Sequence, residues 1–190
     1  LIEYGWDVPT PEFVRDHIRQ METRPFDGLL FRVPAFDHAF DTQPWSEAQM
    51  APQLAALEAI AWDRFSDSFL MLFSANRQGM DWSDDAQWAV IEGNLKLAAQ
   101  AAQRGRCVGV CFDAEPYGDN PWAWEGPFDA RAFDARQALV RRRGDQFAAA
   151  LQSQDPDLRL LTFFLLSYHL GVADEPDAQI RSSRLASTSY

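Results

Sequence analysis

Asp113 and Glu115 close a short apolar run, Cys107 to Phe112, bounded by Gly105 on one side and by the breakers Pro116 and Gly118 on the other. The run reads as a strand, and residues at i and i+2 of a strand point the same way. The two carboxylates therefore leave its end on one face, where Asp113 can orient Glu115 or shift its proton affinity by charge and hydrogen bonding. Acid/base catalysis uses this arrangement. Glycoside cleavage in particular needs a carboxylic acid that stays protonated near neutral pH, and a neighbouring carboxylate raises a pKa. The competing reading is an ordinary strand-to-loop junction, where Asp is a common turn former.

The chain holds seven tryptophans in 190 residues. Trp6, Trp45, Trp82, Trp122 and Trp124 fall in loops placed after strands, while Trp62 and Trp88 fall on helix faces. Aromatic rings among hydrogen-bonding side chains offer flat apolar surfaces to the C–H faces of sugars, with carboxylates and amides left for the hydroxyls. Trp122 and Trp124 follow the Asp113/Glu115 strand directly and read as ligand contacts, with Asp119, Asn120 and Glu125 as hydroxyl partners. Trp45, just before Ser46, reads instead as the hydrophobic residue that precedes a helix N-cap.

The elements that must position these groups alternate along the chain. Leu1–Tyr4 is a strand, followed by a helix with Thr10 as N-cap, Pro11 at its first position and Glu12 in its first turn, ending at Pro25. Gly28–Val33 is a second strand. A helix from Ser46 to about Trp62 carries Met50, Leu54, Leu57 and Ile60 as its buried stripe, and Ser68–Ser74 is a third strand. Ser83 and Asp84 cap a helix that runs to Gln103 with Gly105 as its stop. After the fourth strand comes a helical region from about Asp129 to Gln154, breakable at Gly144, and then an apolar fifth strand, Leu158–Tyr168.

Nearly continuous apolar strands separated by helices describe a parallel sheet covered on both faces. The segment after the first strand, Gly5 to Pro9, cannot form a glycine-rich phosphate loop, which removes the main support for a dinucleotide-binding fold. Polar or aromatic residues instead follow every strand: Trp6 and Asp7, Arg32 and His38, Asn76 and Arg77, Asp113 and Glu115, Tyr168 and His169. A (β/α)8 barrel builds its active site in this way, from the C-terminal ends of several strands. Each unit takes roughly 38 residues and eight would need about 300. The expected fold is therefore α/β of TIM-barrel type, a single domain over residues 1–190 holding the first five or so βα units.

Composition narrows the partners. With 47% hydrophobic and 24% charged residues the chain can bury a globular core. A net charge of −11 argues against binding a phosphate backbone, and Arg141, Arg142 and Arg143 read as a solvated helix face. No window approaches the roughly 18 apolar residues of a membrane span. The N-terminus lacks a signal-peptide pattern but begins at Leu1 inside an apolar run; if a signal has been removed, a periplasmic or secreted location is favoured over the cytoplasm. Cys107 and Cys111, roughly 13 Å apart on one strand, are beyond disulfide reach and read as buried thiols. If the chain stops at Tyr190, its first and fifth strands are bare edges, and a dimer or aggregate is expected.

Residues Gly109 to Glu115 resemble the fourth-strand motif of the chitinase-like glycoside hydrolases, D-G-x-D-x-D-x-E, in the glycine, the last Asp and the Glu. Val108 and Cys111 stand where that motif has its two earlier Asp residues, and Pro116-Tyr117 replaces its tyrosine-proline ending. More broadly, the segments Gly5–Pro11, Pro25–Phe31 and Phe112–Tyr117 resemble a group of uncharacterised bacterial proteins described as barrel glycoside hydrolases. The resemblance implies a carbohydrate substrate, with Glu115 protonating the glycosidic oxygen and Asp113 orienting it and helping to position the substrate's own acetamido group. No cofactor or metal is expected, and substrate contacts are expected at Trp6, Asp7, Arg32, Asn76, Tyr117, Trp122, Trp124, Tyr168 and His169. A second carboxylate would be Asp7 or lie on a later strand. Two alternatives stay open: a metal-dependent barrel lyase or hydrolase with Mg²⁺ on Asp113 and Glu115, for which His17, His38 and His169 are too isolated to add a ligand pair, and a non-catalytic carbohydrate-binding protein.

Overall fold

A computed structural model describes residues 1–115, 117, 119–122 and 130–163. Five strands, β1 (Ile2–Glu3), β2 (Gly28–Phe31), β3 (Phe69–Phe73), β4 (Gly109–Asp113) and β5 (Arg159–Thr162), form one sheet in the order in which they occur in the chain, β1-β2-β3-β4-β5, every neighbouring pair parallel. Four helices connect or follow them: α1 (Pro11–Met21), α2 (Glu47–Glu58), α3 (Asp85–Arg104) and α4 (Ala130–Gln152). The sheet is curled into a half-barrel.

Strand alternation separates the two faces. Leu29, Phe31, Leu70, Leu72 and Val110 share one buried cluster with Val14 and Ile18 of α1, Met50, Leu54 and Leu57 of α2, Trp88, Ile91 and Leu95 of α3, and Phe147 and Leu151 of α4. The intervening residues Leu30, Phe69, Met71 and Cys111 form a second cluster on the other face, joined by Val8, Phe73, Leu161 and Phe163. The helices thus pack on the outside, as a barrel requires, and the inner face is lined by the strands themselves. The curl is deep enough that the rings of Tyr4 and Phe163, just beyond β1 and β5, stand 4.9 Å apart. Burial pushes the inward-facing Cys111 thiol up to about 12, with the charge of Asp113 adding to the shift.

Two glycines set the spacing of this sheet. A Cβ on Gly109 would stand 1.9 Å from the carbonyl oxygen of Arg159 in β5, and one on Gly28 would stand 2.1 Å from the carbonyl oxygen of Asp67. Only a residue without a side chain permits these approaches.

Two helix starts are capped by side chains as their sequences signal, while Ser46 begins α2 without a side-chain cap bond. Thr10 accepts the Phe13 N–H at α1, and Asp84 accepts the N–H groups of Ala86 and Gln87 at α3. The α2 stripe Met50, Leu54, Leu57 and Ile60 is buried throughout. Three expectations are corrected. Helix α2 stops at Glu58, so Trp62 is not on a helix face: its indole donates to the Gly105 carbonyl at 2.9 Å, and the segment after it is held by Glu22, whose Oε1 accepts the backbone N–H groups of Asp63, Arg64 and Phe65. Helix α4 runs through Gly144 without a break, since a helical glycine costs only about 1 kcal/mol and its neighbours pack well. Arg143 is not solvated: it is 1% exposed, with its guanidinium over the Trp88 ring and donating to the Trp82 carbonyl, Gln146 and Asp85. Arg141 and Arg142 are exposed as expected.

The described strands are shorter than their apolar runs, because Tyr4, Arg32 and Val33 extend past the paired registers; the expected continuation of β5 through 164–168 lies outside the described residues. Among the described residues no helix is long and apolar enough to cross a membrane.

Candidate functional site at the C-terminal rim

The register β3·β4 pairs Phe73 with Asp113, so Asp113 is the last paired residue of β4 and faces inward two steps above Cys111. It is 2% exposed, and its Oδ1 accepts the Glu115 backbone N–H at 2.9 Å. Burial raises its carboxyl above the usual carboxylate range; the Glu115 N–H works against this and the Glu115 charge adds to it. The neighbouring backbone is fixed from both sides. Ser74 donates its N–H to the Asp113 carbonyl and its hydroxyl to the Glu115 carbonyl, and the Trp122 indole donates to the Ala114 carbonyl at 2.8 Å. From this anchored backbone the Glu115 side chain reaches solvent, where its Oε2 accepts the Tyr117 hydroxyl at 2.6 Å. That bond, before burial and the charges of Asp113 and Glu115, holds the Tyr117 phenol well above its ordinary range.

Tyr117 also lines a cleft of about 270 Å³ with Arg32, Asp37, His38, Phe73 and Ala75, drawn from the ends of β2 and β3. Arg32 donates to Asp37 Oδ2 at 2.7 Å. Asp37 is raised by burial, against the opposing charges of Arg32, His38 and Arg77. Its Oδ1 and the Nδ1 of His38 are buried with no hydrogen-bond partner among the described residues. An arginine and carboxylate beside a histidine and two aromatic rings can hold hydroxyl groups against an apolar wall.

The expected site residues separate into groups. Asp113, Glu115 and Tyr117 stand together at the end of β4, and Arg32 shares the cleft with Tyr117. Trp6 and Asp7 are exposed and line a second groove of about 570 Å³ with Tyr4, Phe13 and His17. Asn76 is buried, its Oδ1 accepting the Gly79 N–H, so it shapes the turn after β3. Trp122 packs on Phe40 and Trp82 on the helix side of the sheet, and the Trp82 indole donates to the Pro121 carbonyl; together the two indoles pin the loop behind Glu115. Trp45 stacks on Phe36 at 4.9 Å, in the 3-10 turn Pro34–Asp37 that precedes α2. Trp124, Tyr168 and His169 lie outside the described residues.

Two residues of this rim escaped the sequence reading. Tyr4 shares the parity of Ile2 and so faces inward above Leu30, given the register Ile2↔Gly28; alternation within the first strand carried that signal. Its phenol is raised by burial and then by the charges of Asp113, Cys111 and Glu115. Asp37 ends a short 3-10 turn, Pro34–Asp37, that the Asp- and Phe-containing sequence does not mark by spacing. Among the described residues, no group of three or more His, Cys, Asp or Glu side chains is placed to hold a metal ion.

Compared with protein-family profiles, with curated proteins and with solved structures, the chain finds no match.

Proposed function

We propose that this half-barrel is part of a (β/α)8-type glycoside hydrolase in which Glu115 is the general acid and Asp113 its orienting partner. The observation that carries the reading is the pairing of a buried, backbone-anchored carboxylate with an exposed one at the inner end of a central strand, where barrels of this kind do their chemistry. In the reaction Glu115 gives its proton to the glycosidic oxygen as the bond to the anomeric carbon breaks, the bonding pair staying with the departing oxygen. Water completes hydrolysis: its oxygen bonds to the anomeric carbon, and the proton it loses restores the acid. Asp113 keeps the Glu115 backbone in place, and Tyr117 directs the Glu115 carboxyl through its hydroxyl. Arg32, Asp37 and His38 across the cleft are suited to binding sugar hydroxyls, with Phe73 and Tyr117 as the apolar wall.

The test is Glu115→Gln on a panel of glycans and nitrophenyl glycosides, with and without chelator. The substitution keeps shape and much hydrogen bonding but removes the transferable proton, so kcat should fall about 10²–10⁴-fold. Nitrophenyl glycosides, whose leaving group needs little protonation, should be partly spared. Full activity of Glu115→Gln on natural glycans would remove Glu115 from this role. Activity abolished by chelator would favour a metal-dependent reaction, and binding without turnover in the parent would favour a carbohydrate-binding protein.

A further inference from the structure

Arg32 uses one nitrogen on Asp37 and leaves the rest of its guanidinium uncommitted. Among the described residues only its Nη1 has a partner, Asp37 Oδ2 at 2.7 Å, and 40% of the side chain is exposed. Nε and Nη2 remain, and they project parallel N–H groups from one edge of a rigid fork. Asp37 is the anchor of this arrangement: its Oδ2 is taken by Arg32 and its Oδ1 is buried out of reach of solvent. In His38, too, Nδ1 is buried, so Nε2 is the imidazole nitrogen that a ligand can meet. Backbone bonds hold both residues in place. The Arg32 N–H donates to the Pro9 carbonyl at 3.0 Å, and the segment after His38 is docked on the end of β3 by the N–H groups of Ala39 and Phe40, which donate to the Phe73 and Ala75 carbonyls. The accessible polar edge of the cleft is therefore a preset donor.

Resting on the hydrolase reading above, we infer that the sugar seated in this cleft is a uronic acid, its carboxylate held by the Nε/Nη2 edge of Arg32. A planar carboxylate accepts both parallel N–H groups, and such charge-assisted bonds are roughly twice as strong as neutral ones. A hydroxyl offers the same edge a single oxygen. One guanidinium already balanced by Asp37 suits a single negative charge rather than the larger charge of a phosphate. The net charge of −11 does not oppose this, since at physiological salt charges beyond about 8 Å are largely screened. The cleft holds about 270 Å³, just below the roughly 300 Å³ at which pockets begin to enclose larger ligands, and so fits one ring. Phe73 and Tyr117, with ring centroids 6.0 Å apart, give that ring an apolar wall for its C–H groups. Tyr117 also donates to Glu115 Oε2 at 2.6 Å, so a sugar against its ring lies beside the acid.

The experiment measures kcat/KM on 4-nitrophenyl α- and β-glycosides in matched pairs that differ at C6 alone: glucuronide with glucoside, galacturonide with galactoside, mannuronide with mannoside. In the pair that is cleaved the uronide should lead by about ten-fold or more, and Arg32→Gln should cut that lead roughly 10–100-fold, the worth of a hydrogen bond to a charged group. Arg32→Lys keeps the charge but not the paired edge and should restore part of the lead. Each ratio compares two substrates on one protein sample, so a loss of folded material does not move it. Equal rates on uronide and hexoside, a lead that survives Arg32→Gln, or an equal preference for the 6-O-sulfated hexoside overturns the inference. Glu115→Gln separates it from the reading beneath it. If the uronide leads in no pair while Glu115→Gln loses activity on natural glycans, only the uronic acid inference fails. If no pair is cleaved, or if Glu115→Gln keeps full activity on natural glycans, the hydrolase reading falls and takes this one with it.

Discussion

Asp113 and Glu115, one residue apart, occupy opposite surroundings: the Asp113 carboxylate is buried and accepts the Glu115 backbone N–H at 2.9 Å, while the Glu115 carboxylate is exposed and accepts the Tyr117 hydroxyl at 2.6 Å. Asp113 ends the strand on its inner face, and Glu115 follows two residues beyond it. The Glu115 carboxyl stands in solvent on a fixed backbone, held among the described residues only by the Tyr117 hydroxyl. The pair therefore divides into a buried group that holds the backbone and an exposed group at the surface.

This division predicts how stability responds to pH. The raised Asp113 carboxyl means that the folded state binds more protons than the unfolded chain between the ordinary Asp value of about 3.9 and the raised one. The native state loses stability as pH rises through that interval. Asp113→Asn removes the titration and can still accept the Glu115 N–H. The melting temperature of the parent should fall behind that of Asp113→Asn as pH is raised from about 4 to 7, measured by scanning calorimetry; a constant difference across that range would show that Asp113 titrates normally.

The Tyr117 phenol should lose its proton at higher pH than a free tyrosine, first because of its hydrogen bond to Glu115. Glu115→Gln removes the charge that favours the neutral phenol, so the Tyr117 titration should move down towards the ordinary value of about 10. Tyrosine ring carbon resonances followed through an alkaline titration would show this, with Tyr117→Phe assigning the signal.

Glu22 links the end of α1 to the segment before β3. Burial opposes its ionisation, but the N–H groups of Asp63, Arg64 and Phe65 outweigh it and hold the carboxyl below its usual value. Its contribution is complete above about pH 4.3 and is lost as pH falls through the lowered folded value. Glu22→Ala leaves three backbone donors in need of partners and should cost about 2–4 kcal/mol in urea unfolding at pH 7, with a smaller difference in strong acid.

Gly109→Ala should separate β4 from β5. Its methyl would meet the Arg159 carbonyl at 1.9 Å, a backbone group that cannot swing aside. A loss of about 3 kcal/mol is expected, seen as a lowered urea midpoint. Gly144→Ala, where a Cβ meets nothing within 4 Å, should instead be neutral or gain about 1 kcal/mol.

The architecture was legible because its signals are local. Met50, Leu54, Leu57 and Ile60 repeat at helical spacing and are buried, Asp84 caps its own helix, and the inward direction of Asp113 follows from its parity with Cys111. What could not be read depends on partners far along the chain. Trp122 is a loop aromatic by sequence whether it faces sugar or core, and its turn to the helix side of the sheet is set by Phe40 and Trp82. Arg143 resembles its exposed neighbours until Trp82, Asp85 and Trp88 of the preceding unit are brought against it. Asp37 belongs to the rim only because Arg32 reaches it and Tyr117 arrives opposite.

The meeting of Tyr4 and Phe163 also bears on how the protein is made. In a sheet whose order follows the chain, each new strand pairs with the one before it, so β2, β3 and β4 can dock in turn while later residues are still being synthesised. Among the described residues the Tyr4–Phe163 contact joins the first strand to the fifth and cannot form until the strands between them are in place. Contacts of such sequence separation pay their chain-closure entropy late, so Tyr4→Ala should leave the refolding rate nearly unchanged and act by hastening unfolding. The Tyr4–Phe163 closure would then be the last contact of the five-stranded sheet to form and the first to open.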